Sequence, residues 1–246
     1  MNRPIRIGLI AEGEAELGSS VPYLKPEEGG KIIDRQQEGA LHTLIRRKLK
    51  SSGLPDCDFV HRHPSMREMG KKTLRTGHSI LDRKYLRQVV ILWKPAEVDL
   101  ILIVADADNV LLQRQKDLQE ALKTIRDNHL DANDRSILDR SAGGLAIKNF
   151  ETWLLADIQT VSKTLGVDIE QIENLEELDE TKNILENAIA RSIHLSEDSS
   201  NQRPLKIRWH LANQIDLETI EASCPNGYAA FMKSLITVAN VVMNDE

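Results

Sequence analysis

The stretch DLILIVADAD, Asp99 to Asp108, is the part of this 246-residue chain from which its fold can be read. Asp99 to Ala105 (DLILIVA) is apolar at consecutive positions. A strand must be covered on both faces to tolerate that pattern, which places it at the centre of a parallel sheet. Two acids, Asp106 and Asp108, follow it directly. Alternate residues of an extended segment point the same way, so an Asp-x-Asp pair can converge on one cation.

Working outward, Ile5 to Ala11 (IRIGLIA) is a second short apolar run, bounded by Pro4 and by Glu12-Gly13. It reads as another buried strand. Glu16 to Gly30, with its glycines and prolines, reads as a loop. Leu41, Leu44, Ile45 and Leu49 fall at helical spacing within Glu38 to Ser51, and Gly53 stops that helix. Cys57 to His63 reads as a strand, and a polar loop then leads into a helix from Ser79 to Lys94. Past the central strand come a helix over Gln113 to Asn128 and a short strand over Leu145 to Ile147. A helix over Phe150 to Asp157 follows, then helices over Asp157 to Leu165, Thr181 to Arg191, Leu205 to Gln214 and Tyr228 to Met243. The polar segment Ser196 to Pro204 reads as a flexible hinge. Strands alternating with helices predict an α/β fold with a mainly parallel, Rossmann-like sheet flanked by helices and a helical C-terminal extension. The expected division is a catalytic unit over residues 1–160 and a helical region, packed on it, over residues 161–246.

The composition excludes several classes. No apolar run is long enough to span a membrane, and the first apolar stretch is followed at once by acids, unlike a signal peptide. Two cysteines, Cys57 and Cys224, make neither a disulfide framework nor a four-ligand zinc site. The cytoplasm is the expected compartment. The net charge of −6 conceals an asymmetry: residues 1–98 hold 18 Lys+Arg against 12 Asp+Glu, and the remainder hold 14 against 26. A basic half beside an acidic half keeps a nucleic-acid partner open.

In α/β sheets, sites form at the carboxyl ends of strands. Glu12 follows the first strand, with Gly13 permitting a tight turn, and Glu16 lies four residues on. Carboxylates gathered at one sheet edge repel one another unless a divalent cation sits among them, and hard oxygen donors suit Mg²⁺ or Mn²⁺. Each acid also has a plain structural alternative, as a helix cap or a turn residue.

Strand–Glu12-Gly13-x-x-Glu16, followed about ninety residues later by strand–Asp106-x-Asp108, resembles the TOPRIM domain, and most closely its OLD-type nuclease branch. The segment Phe150-Glu151-Thr152-Trp153-Leu154-Leu155-Ala156-Asp157 resembles the Glu-x-Trp-x-x-x-Asp element of a bacterial TOPRIM-like family encoded beside ATPases. The likeness covers roughly residues 5–160. It implies a Mg²⁺- or Mn²⁺-dependent nuclease, acting on DNA or RNA, that is the effector of an ATPase-linked phage-defence system. Carried over, Glu12 is the glutamate that assists proton transfer or binds metal, Asp106 and Asp108 are metal ligands, and Glu16 helps to hold another metal. Glu151 and Asp157 join the metal-ligand set, although six residues on a helix separate them by more than a turn. Lys206 or Arg208 would return a cation to the site, as a late Lys does in OLD-type nucleases. The spacing between the two motifs is longer than in compact TOPRIM domains.

Arg62, Arg67, Lys71, Lys72 and Arg75 form a basic run with flexible glycines, suited to phosphate contact. His61 and His63, without further Cys or His nearby, read as ordinary histidines. The aromatic content is 4%, with Trp93, Trp153 and Trp209 widely spaced, so the sequence offers no stacking platform. No Gly-x-x-x-x-Gly-Lys-Ser/Thr loop is present, so ATP hydrolysis is not expected of the chain itself. Two other readings remain open: a non-catalytic or regulatory subunit of an ATPase complex, and a phosphatase using the same carboxylates. The oligomeric state is likewise open, a homodimer included.

Overall fold

The computed structural model describes residues 3–18, 31–61, 77–92, 98–128, 140–194 and 203–244. In chain order the elements begin with β1 (Ile5–Ile10), α1 (Glu14–Leu17), β2 (Lys31–Ile32), a 3-10 turn (Arg35–Gln37) and α2 (Ala40–Ser51). They continue with β3 (Cys57–His61), α3 (Gly77–Ile80), α4 (Arg83–Leu92), β4 (Leu100–Asp106), α5 (Leu111–Asn128) and β5 (Ser141–Ala146). The C-terminal part holds α6 (Glu151–Leu155), α7 (Ile158–Leu165), a 3-10 turn (Leu175–Glu177), α8 (Thr181–His194), α9 (Arg203–Gln214) and α10 (Leu217–Ser223). A π-helical turn (Pro225–Ala229) then leads into α11 (Ala230–Asn244).

The strands form one sheet in the order β2-β3-β1-β4-β5. β3, β1, β4 and β5 are mutually parallel, and only the two-residue β2 runs antiparallel at the edge. The predicted α/β class is the observed one, with β4 interior as its two apolar faces require. Alternation along β4 divides the core. Leu100, Leu102 and Val104 join the layer under α2, α6 and α11, while Ile101, Ile103 and Ala105 join the layer under α4 and α5. The first layer runs from Ile5 to Val242, so residues before and after position 160 share one core. Its centre is Trp153, fully buried, stacked on Phe231 with centroids 6.0 Å apart and meeting Tyr228 edge-on at 5.4 Å. Such aromatic pairs add about 0.5–1.5 kcal/mol each beyond their burial.

Several boundaries differ from expectation. The helix predicted over Ser79 to Lys94 is broken, because Asp82 Oδ1 accepts from the backbone N–H groups of Lys84 (2.9 Å) and Tyr85 (3.1 Å) and so starts α4 afresh. Part of the predicted Glu16 to Gly30 loop is helical, as α1, and residues 19–30 lie outside the described residues. β5 starts at Ser141, four residues earlier than Leu145. Its Gly143 and Gly144 carry no apolar pattern, yet the helices need them bare: a Cβ on Gly143 would stand 2.7 Å from Leu118 of α5, and one on Gly144 would stand 2.5 Å from Phe231 of α11. α10 has no counterpart among the predicted helices; Asp216 caps it by accepting from Thr219 N–H at 2.8 Å. Of the predicted hinge, residues 196–202 lie outside the described set, and Arg203 and Pro204 open α9. No helix among the described residues is long and apolar enough to cross a membrane.

Candidate active site

β1 and β4 are adjacent and parallel, so the residues that follow them meet at one edge of the sheet. Glu12 turns across this edge, where its Oε1 accepts a 2.7 Å hydrogen bond from the backbone N–H of Asp106. The helix-cap alternative for this residue thus gives way to a link between two strand ends. Glu16 sits on α1 and reaches back, its Oε2 accepting from the N–H of Gly13 at 2.9 Å. That contact is half of a capping box. Two glycines fix where this short helix lies. A Cβ on Gly39, at the start of α2, would stand 2.2 Å from the carbonyl oxygen of Glu16, and Gly18 has φ +66°. Only residues without a side chain allow α1 to lie this closely on α2.

The cap explains one oxygen of Glu16 and leaves its burial unexplained, since only 6% of the residue is exposed. Burial first, then repulsion by Glu151 and Glu12, raise its carboxyl to about 7, although the Gly13 N–H pulls the other way. Burial, followed by the charges of Glu16, Glu12, Glu151 and Asp108, pushes Asp106 well above the usual carboxylate range. Five of the six carboxylates predicted as metal ligands therefore act on one another electrostatically.

They are not equivalent. The extended alternation ends at Asp106, and Asp108 has φ +48°, so the pair does not point one way as the strand pattern predicts. A backbone bridge holds Asp108, its N–H donating to Lys148 O at 2.9 Å, while its carboxylate, 59% exposed, meets Arg114 Nη2 at 3.3 Å. Glu151 opens α6, buried, with Arg208 Nη2 at 3.4 Å; the same guanidinium lies 3.6 Å from Glu186. Asp157 is not brought into the cluster. Its Oδ1 caps α7 through Thr160 N–H (3.1 Å) and its Oδ2 accepts from Asp216 N–H (3.0 Å), which makes it a clamp between α7 and α10. Lys206 is exposed on α9. It lies two residues from Arg208, on the other side of the helix, so Arg208 is the cation that reaches the site. Arg62, Arg67, Lys71, Lys72 and Arg75 lie outside the described residues, as do His63 and the side chain of His61.

Arg114 and Lys148 were not foreseen. Lys148, with φ +67°, follows β5 as Asp108 follows β4, and its Nζ donates to Asp179 at 2.5 Å and to Asn109 at 3.3 Å. Reading Ser141 to Ala146 as a strand would have brought this lysine to the same edge.

No family model, curated protein or solved structure matches the chain.

A divalent cation fits the donor chemistry. The donors are hard carboxylates, and burial, with their mutual repulsion second, raises the carboxyls of Glu16 and Asp106. Their positions are looser: among the described residues, no three His, Cys, Asp or Glu groups stand close enough to ligate one ion. A cation held by Glu16, Asp106 and a third carboxylate would require these groups to come closer together and to lose their protons.

Proposed function

We propose that the protein is a Mg²⁺- or Mn²⁺-dependent phosphodiester hydrolase of DNA or RNA, of the TOPRIM type that its motifs resemble. One observation carries this reading: Glu12, Glu16, Asp106 and Glu151 gather at the carboxyl edge of a parallel sheet, where burial and the neighbouring charges raise Glu16 to about 7 and Asp106 well above the usual carboxylate range. The single cation Arg208 does not balance this many acids at that edge, and strongly perturbed groups mark functional sites more often than chance. Asp106 and Glu16 would hold the cation, with Glu151 behind them and Asp108 at the rim. A cation bound there supplies Lewis-acid polarisation of a phosphate and a more acidic water. Glu12, which accepts a hydrogen bond from the Asp106 N–H, would take the proton of that water. Arg208 offsets part of the negative charge behind Glu151. The position of effector beside an ATPase rests on the resemblance alone.

A second reading, a regulatory subunit whose metal site has decayed, draws support from the open arrangement of the carboxylates and from the pairing of Glu151 with Arg208. Calorimetry with Mn²⁺ and cleavage of plasmid DNA and RNA separate the two. The hydrolase reading expects saturable Mn²⁺ binding and metal-dependent cleavage that Asp106→Ala abolishes. Cleavage untouched by that substitution or by chelation defeats it. Turnover of small phosphate esters without polymer cleavage points to a phosphatase.

A further inference from the structure

Away from the acidic cluster, α2 and α9 together line a cavity of about 510 Å³. Pockets of roughly 300–1,000 Å³ hold small organic ligands. α2 contributes Arg46, Arg47 and Lys50, and α9 contributes Trp209 and Asn213. Two carboxylates, Glu38 and Asp56, also face the cavity, but both are already engaged. Arg46 takes Glu38 through Nη2 at 2.5 Å and Nε at 3.0 Å, and it shares Asp56 with Arg35 at 2.7 and 2.5 Å.

Two cations have no carboxylate hydrogen bond among the described residues, although Arg47 interacts with Asp216 through space. Arg47 Nη1 donates to the carbonyl oxygen of Ala212 at 2.6 Å, a neutral acceptor, and Lys50 is exposed with no carboxylate partner among the described residues. Both line the same cavity as Trp209, which is 40% exposed although Trp153 is fully buried. One turn along α9, Asn213 Nδ2 donates to Trp209 O at 2.9 Å, which leaves its Oδ1 as an acceptor with no partner among the described residues. A simple anion would use the two cations and leave the water-exposed indole without a purpose. A ligand that joins a phosphate to a flat ring uses both, because phosphate pairs with Arg and Lys and a base stacks on an aromatic face.

We propose that the α2–α9 cavity binds a nucleotide, with its phosphate on Arg47 and Lys50, its base against Trp209 and the base edge donating to Asn213. The site is separate from the acidic cluster and does not depend on hydrolysis there. The nucleotide can be free or part of a strand. Both sources are tested with the full chain in EDTA, which silences any metal-dependent contribution. Adenosine, guanosine, cytidine and uridine monophosphates and a short oligodeoxythymidylate are titrated by calorimetry and by indole fluorescence.

Saturable binding is expected, weakened about tenfold by Lys50→Glu and by Trp209→Ala and largely kept by Trp209→Phe. Lys50 and Trp209 are exposed, so these variants keep the fold. Asp106→Asn should bind as the parent does, which separates failure here from failure of the hydrolase reading. Equal affinity for monophosphates and the oligonucleotide assigns a free nucleotide; binding of the oligonucleotide alone assigns a strand. No binding of either, binding indifferent to Lys50→Glu, or binding of an acidic peptide alone overturns the proposal.

Discussion

At Glu16 two demands meet on one side chain: its Oε2 completes the turn at Gly13, and its charge has to be buried beside Glu12 and Glu151. The folded chain holds this proton up to about 7, against 4.5 for an ordinary glutamate, so folding takes up a proton between those values. Stability conferred by that proton is therefore present at acidic pH and declines as pH rises through the window, by about 3 kcal/mol in all. Asp106 works in the same direction. The acids held low, Asp56 and Asp216, act only below this window. Urea unfolding of the metal-free protein at pH 5, 6, 7 and 8 should record the fall, and Glu16→Gln should flatten it; parallel profiles for variant and parent would refute the assignment. Glu12, Glu16 and Asp106 were legible in the sequence because each follows an apolar strand at the edge where sites form. The raised carboxyls of Glu16 and Asp106 were not, since they depend on burial in the fold and then on Glu151, which comes from an element more than a hundred residues from Glu16 in the chain. Asp157 illustrates the opposite error: an acid in a motif-like segment whose oxygens both serve backbone N–H groups.

Among elements, β4 was readable throughout and β5 only at its C-terminal end, for one physical reason. β4 fills both core layers with its own side chains, whereas β5 gives up that space at Gly143 and Gly144 so that Leu118 and Phe231 can occupy it. Periodicity registers what a strand contributes and is blind to what it makes room for. Gly144→Ala should accordingly displace α11 and cost about 1–3 kcal/mol, seen as a lower Tm with helix content intact by circular dichroism. An unchanged Tm would mean that Phe231 yields without penalty. Gly39→Ala tests the site more directly, since the added methyl collides with the backbone of Glu16. Lower stability together with weaker Mn²⁺ binding is expected, and calorimetry on the folded variant measures the second effect. The same blindness separates Lys206 from Arg208: both were plausible cations on paper, and only the phase of α9 decides which one faces Glu151.

Across the whole molecule, the net charge of −6 sums regions with different tasks. A buried acidic cluster lies at the sheet edge, and an excess of positive charge lines the outer face of α2. Mn²⁺ at one hundred times its Kd should stabilise the fold by about 2.7 kcal/mol, so at pH 8 it should raise the Tm by more than an equal ionic strength of NaCl does, and Asp106→Asn should cancel the difference in differential scanning calorimetry. The chain order of the core carries a further consequence, for synthesis. The sheet layer that begins with Ile5 is closed by α11, which ends at Asn244. While the chain is still emerging from the ribosome, the apolar side of β4 and β5 lacks the helix that covers it, however early the strands are made. The nascent protein therefore offers chaperones a long-lived sticky surface, and a premature stop before Ala230 would yield a polypeptide destined for aggregation or degradation, although every proposed ligand of the acidic site had already been translated.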